Sequence, residues 1–164
     1  MVLKEIINRR SVREFKPDEV PEKLIEELIK AAQFAHTSRN NRAAEFIVIR
    51  SQETKNKLFD ILGQEFIKNA PVLIVAVTDT TKTNQAFQDL SLASQNIFLQ
   101  ATALGLGTVW KNVREERKAS IRELLGIPSN FTLVNIIPVG FPEAKPLPHI
   151  NSDFSKKRIH KEKW

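Results

Sequence analysis

The run Val72-Leu73-Ile74-Val75-Ala76-Val77 limits what this chain can become more than any other stretch. Six apolar residues in succession are far short of the roughly twenty a membrane helix needs. They also lack the alternation that would leave one side to water, so the run reads as a strand covered on both faces. A chain of 164 residues, 41% hydrophobic and 27% charged, is one domain's worth and can bury such a strand without covalent staples.

The elements around that strand follow from periodicity and punctuation. Val2, Leu3, Ile6 and Ile7 predict a helix over 2–9, and Leu24, Ile25, Leu28, Ile29 and Ala32 predict another over 21–36, with Pro21 in its first turn. A strand is expected over 45–50. A helix over 53–68 carries Leu58, Ile61, Leu62, Phe66 and Ile67 as its buried stripe, and Pro71 ends it. A long helix over 83–104 turns at Gly105-Leu106-Gly107 into a short strand at 108–110. A helix over 114–125 stops at Gly126, and 132–139 is the last strong strand. From Phe141 onward, Pro142, Pro146 and Pro148 predict an extended tail. There is no repeat or linker, and about four strands interleave with helices, so the residues leave an α/β or an α+β layered fold.

Residues 83–110 hold one charged side chain, Asp89. A helix lying on a sheet ordinarily shows water a charged face. A helix without one is either wrapped by its own chain or covered by a second copy, and so short a chain has little to wrap it with, which favours a twofold dimer.

The net charge of +6 and pI of 9.7 suggest an anionic partner. The excess sits at the two ends: Lys4, Arg9, Arg10, Arg13 and Lys16 at one, Lys156, Lys157, Arg158, Lys161 and Lys163 at the other. No nucleic-acid-binding motif accompanies it. Gly105-Leu106-Gly107 follows a helix and has Trp110 where a dinucleotide turn needs its third glycine. His36, His149 and His160 have no metal-ligand spacing, so no metal is expected. The absence of cysteine excludes disulfides and thiolate catalysis. Met1-Val2-Leu3-Lys4-Glu5 meets charge too early for a secretory signal, so a cytoplasmic location with no membrane partner is expected. With no nucleophile, base or metal in view, an enzyme built this way relies on a bound organic cofactor, anionic at one end.

Arg9-Arg10-Ser11-Val12-Arg13 is suited to that anion. Guanidinium groups pair with phosphate oxygens in bidentate fashion and a serine hydroxyl adds a neutral donor. Cations at a helix C-terminus have a structural use of their own, but that accounts only for Arg9 and Arg10.

With Arg9-Arg10-Ser11-Val12-Arg13-Glu14-Phe15, the chain resembles the nitroreductase family of FMN-dependent flavoproteins. The likeness continues in order through Ala35-His36-Thr37-Ser38-Arg39-Asn40 with Phe46, Asn69-Ala70-Pro71-Val72, Gln95-Asn96, Ala103-Leu104-Gly105-Leu106-Gly107-Thr108-Val109-Trp110, Val139-Gly140-Phe141-Pro142 and Glu162-Lys163-Trp164. The resemblance implies a single α+β domain over 1–164, with a central mixed, mostly antiparallel sheet covered by helices. It implies a homodimer with FMN at the seam and a 141–164 tail embracing the partner subunit. It implies that Arg9, Arg10, Ser11 and Arg13 hold the FMN phosphate, ribityl chain and pyrimidine edge. Thr37, Ser38 and Asn40 then reach the flavin from the partner, and Gly107, Thr108, Val109 and Trp110 approach it with backbone groups. The reaction implied passes hydride from NADH or NADPH, through flavin N5, to a small-molecule substrate such as a nitroaromatic or quinone, with no side chain acting as acid or base.

Arg42-Ala43-Ala44 stands where the family has Gln-Pro-Trp, which makes Arg42 a candidate for the substrate pocket. His149-Ile150-Asn151-Ser152-Asp153 stands where the family's tail places a basic pair, and Lys156 or Arg158 is the candidate substitute. Two alternatives remain: a basic polyanion- or nucleic-acid-binding module, and a flavin enzyme of the same fold with another reaction, dehalogenation or flavin fragmentation.

Overall fold

The apolar run opens β2 (Val72–Asp79), and every residue of that strand is buried. A computed structural model describes residues 1–164. β2 lies between β1 (Ala44–Ile49) and β5 (Phe131–Gly140). Two short strands, β3 (Gly107–Thr108) and β4 (Lys111–Asn112), pair with β5 as well. All four ladders are antiparallel, and a lone parallel bridge between Ser11 and Thr108 gives the sheet its mixed character.

Side chains alternate along β2, so it feeds two cores. Val72 and Ile74 pack with Ile25 and Leu28 of α2 (Glu22–Gln33) and Ala93 and Ile97 of α5 (Ala86–Ala103). Leu73, Val75 and Val77 pack with Leu58 of α3 (Gln52–Leu62), Ile67 of α4 (Glu65–Asn69) and Ile121 of α6 (Glu115–Leu125). The result is the α+β arrangement expected, an antiparallel sheet covered on both faces. No helix is long and apolar enough to cross a membrane.

Three expectations are corrected. The helix expected over 53–68 is two, because Gly63 takes the left-handed conformation (φ 70°) and ends α3 after Leu62. The strand expected at 108–110 is replaced by β3 and β4 with Trp110 between them, making five strands rather than four. The helix expected over 2–9 contracts to α1 (Lys4–Asn8), and Val2, Leu3 and Ile6 of its apolar stripe are exposed rather than buried.

Candidate functional site

α1 ends at Asn8 and the chain leaves it extended, Arg9 having φ −62° and ψ 125°. The segment that follows is clamped along its length by backbone bonds. The Val12 N–H donates to the Thr108 carbonyl (2.9 Å), Lys16 N–H to Phe141 (2.9 Å), and Glu143 N–H to the Glu14 carbonyl (3.0 Å). In an extended segment side chains alternate. Val12 is buried on one side, where its Cβ lies 2.7 Å from the position a Gly107 side chain would take. Arg9, Ser11 and Arg13 take the other side. Their side chains form no hydrogen bond or ion pair within the chain.

Arg10 shares Val12's side and turns to the tail. Its guanidinium meets the His149 ring at 3.0 Å from Nδ1 and 3.3 Å from Nε2, while Nδ1 also lies 2.8 Å from the Asp153 carboxylate. Arginine only donates, so a ring protonated on Nδ1 satisfies both neighbours, giving to Asp153 and accepting from Arg10 at Nε2. The His149 N–H also caps the Ile7 carbonyl of α1 (2.8 Å). The residue against the arginine cluster is therefore His149. Lys156 and Arg158, the expected substitutes, lie exposed in a short 3-10 turn.

The hydrogen bond from His149, then that from the Ile150 backbone N–H, hold the Asp153 carboxyl below its ordinary value of 3.8, with Arg10 adding attraction. A carboxyl that titrates lower when docked steadies the tail fully above that ordinary value and loses its hold as pH falls through the lowered one. Asp153→Ala removes the acceptor at every pH. Faster hydrogen exchange at the Ile150 and Asp153 amides, with the sheet unchanged, is the expected result; unchanged exchange shows the tail is held elsewhere.

The second group of site residues lies in the loop between α2 and β1. Ser38–Asn40 form a 3-10 turn in which Arg39 (φ 52°) and Asn40 (φ 54°) are left-handed, and Arg42 (φ 48°) repeats the conformation. Non-glycine residues in this region cost about 1 kcal/mol or more each, so the loop is shaped from outside. The Arg42 N–H donates to Thr37 Oγ1 (3.2 Å) and its Nε to Asn40 Oδ1 (3.1 Å). That bond engages the Asn40 carbonyl and leaves its NH2 as the outward donor. Thr37, Asn40 and Arg42 line a cavity of about 540 Å³ with Phe34, Ala35 and Ala93. None of the Arg9–Arg13 residues lines it; Arg10 and Val12 line a separate cavity of about 530 Å³.

Gly107, Thr108 and Val109 are buried, and the Trp110 ring stands edge-on to Phe98 with centroids 6.3 Å apart. The close approach that requires glycine at 107 is to Val12. Two residues escaped the sequence reading of the site. His149 was visible only as a weaker base, and Asp89, conspicuous as a lone charge, gave no hint that it binds the 37–43 loop.

A family model described as the nitroreductase family matches residues 6–64 and 59–141. An Archaeoglobus fulgidus protein with the provisional name NADH dehydrogenase/NAD(P)H nitroreductase is 37% identical, over 99% of this chain and 98% of its own length. A protein of Bacillus subtilis named FMN reductase [NAD(P)H] is 24% identical over 86% of this chain and 66% of its own. Among solved structures, an FMN-dependent nitroreductase from Clostridium difficile R20291 superposes with a TM-score of 0.92 at 34% identity, covering 98% of each chain.

Proposed function

Because this chain belongs to the nitroreductase family and is an NAD(P)H-dependent oxidoreductase, we propose that it binds FMN along the Arg9–Arg13 segment and works as a homodimer. The observation that carries the reading is the edge formed by Arg9, Ser11 and Arg13, three donors without an intrachain partner on a segment locked to β3. Two guanidinium groups and a hydroxyl match a phosphomonoester of about −1.5 to −2 charge. The names of the Clostridium difficile and Bacillus subtilis relatives, both referring to FMN, support the choice of cofactor.

When bound, FMN supplies the hydride-carrying chemistry between NADH or NADPH and a small acceptor such as a nitroaromatic or quinone. The protein's share is placement. Arg9, Ser11 and Arg13 anchor the anionic end, and Arg10 braces the tail through His149. Thr37, Ser38 and the NH2 of Asn40 present neutral donors from the partner subunit. Such donors, fixed before reaction, stabilise negative charge without reorganising. Arg42 spends Nε on Asn40 and keeps its remaining N–H groups for an anionic acceptor in the 540 Å³ cavity.

The homodimer is supported by apolar surface that this chain leaves uncovered: Phe87 and Leu92 on α5, Val2, Leu3 and Ile6 at α1, and Leu147, Ile150, Phe154, Ile159 and Trp164 along the tail. Large apolar side chains left in water by three elements of one chain are what a partner surface would cover. Past its bonds to Glu14, Ile7 and Arg10 of its own chain, the 141–164 tail, carrying five of these residues, extends over the partner, and 1–164 forms one FMN-binding domain.

The test is direct. Purified protein is expected to be yellow, and protein stripped of flavin to quench added FMN fluorescence on rebinding. Losing a charge-assisted contact in Arg13→Ala should weaken that binding by about ten-fold or more. Unchanged affinity overturns the phosphate assignment; wild-type protein that takes up no FMN overturns the function.

A further inference from the structure

We propose that Asp89 is a positioning residue for cofactor binding: its buried carboxylate holds the loop in the left-handed turns on which Thr37 and Asn40 line the 540 Å³ cavity. Asp89 is 3% exposed and lies in the first turn of α5. Three donors converge on it. The Ser38 N–H reaches Oδ1 at 2.9 Å, and Asn41 Nδ2 (3.0 Å) and Thr83 Oγ1 (2.9 Å) reach Oδ2. No cation pairs with it. Every bond is from a neutral group, and two of the three come from the loop itself.

The geometry explains how one side chain shapes that loop. Asn41 Nδ2 also donates to the Ser38 carbonyl (2.7 Å), and Asn41 Oδ1 accepts from the Ala43 N–H (2.8 Å). Asp89 therefore holds Ser38 by its backbone and Asn41 by its side chain, and Asn41 holds Ser38 and Ala43. Between these fixed points Arg39 and Asn40 take the left-handed conformation. Thr83 carries the hold into the turn before α5, where its hydroxyl also accepts from the Gln85 N–H (3.0 Å). A carboxylate is the side chain that answers donors on both its oxygens at this size. In a stretch otherwise free of charge, that need accounts for the single acidic residue.

The role in flavin binding rests on the reading above that Thr37, Ser38 and Asn40 face the cofactor. Asp89→Asn isolates it. The amide has one oxygen, so whichever way it turns, an N–H meets at least one of the converging donors. A loss of about ten-fold or more in FMN affinity is expected, together with faster hydrogen exchange at residues 38–43. Asp89 works through the loop, so in an Asn40→Ala background, where only Thr37 and Ser38 remain to be placed, the same substitution should cost clearly less than it does in the wild type. Full multiplication of the two losses would assign Asp89 a general structural role and overturn the proposal, as would unchanged affinity and exchange in Asp89→Asn. If Asp89→Asn fails to fold, Thr83→Val removes one donor and leaves the carboxylate. It should raise exchange at 38–43 and weaken FMN binding about three-fold; the absence of both changes would equally overturn the proposal. Wild-type protein that binds no FMN overturns the cofactor reading, while exchange at 38–43 still decides whether Asp89 shapes the loop.

Discussion

Replacing Gly107 with alanine is expected to destabilise the chain by about 2–3 kcal/mol and to abolish tight flavin retention. The new Cβ would stand 2.7 Å from Val12 Cβ and 2.8 Å from both Val12 γ-carbons. Real Cβ atoms do not approach so closely, and none of these atoms is the free end of a flexible side chain. Overpacking of this kind costs about 1–3 kcal/mol. Here it acts where the Val12 N–H is bonded to the Thr108 carbonyl, so relief requires the N-terminal segment to slide off β3. Ser11 and Arg13 flank Val12 and move with it. Thermal unfolding should shift down by roughly 5–10 °C, and FMN titration should show a loss larger than that of Arg13→Ala. Gly63→Ala is the control. Nothing lies within 4 Å of its added Cβ, so only the left-handed backbone is penalised, with a cost of about 1 kcal/mol. Equal effects at the two positions would show that the contact with Val12 is not what sets the segment in place.

Sequence made the frame legible because hydrophobic pattern and punctuation are local. The unbroken run at 72–77 required cover on both faces, and α2 and α5 supply one side of it, α3, α4 and α6 the other. The break at Gly63 is hidden from that pattern because the role of this residue is conformational: the apolar stripe continues across it from Ile61 and Leu62 to Phe66 and Ile67 while the helix does not. Lys55 shows a different blindness. Its charge suggests water, yet it is buried, donates to the Ala70 carbonyl at 2.8 Å, and burial pushes its ammonium below the usual lysine range. The site was legible as a set of residue types, and its connections were not. That Arg9, Ser11 and Arg13 separate from Arg10 depends on the alternation of an extended segment, which is visible only once Ser11 is seen bridged to Thr108. That His149 meets Arg10 and Asp89 meets Ser38 depends on contacts across 139 and 51 residues of chain. The sequence left a polyanion-binding module open; the family match instead makes the chain an oxidoreductase.

Leu92→Glu is expected to convert a dimer into a monomer with its fold intact. Leu92 is 46% exposed on α5, which also exposes Phe87 (62%) near its start and carries no charge on its outer side. On a merely solvated face the substitution would be nearly neutral, within about 0.5 kcal/mol, because a carboxylate is at home in water. On a twofold seam it buries one unpaired charge from each copy. Each costs about 3 kcal/mol or more, and twofold symmetry counts the cost twice. Sedimentation should then give half the wild-type mass with an unchanged far-ultraviolet circular dichroism spectrum. If Thr37, Ser38 and Asn40 act from the partner subunit, as proposed, the monomer should also lose flavin, although none of the Arg9–Arg13 donors has been touched. Lys23→Glu, an exposed position on α2 that already carries a charge, should change neither quantity. A dimer that survives Leu92→Glu places the seam elsewhere, and a monomer that keeps its flavin confines the whole site to one chain.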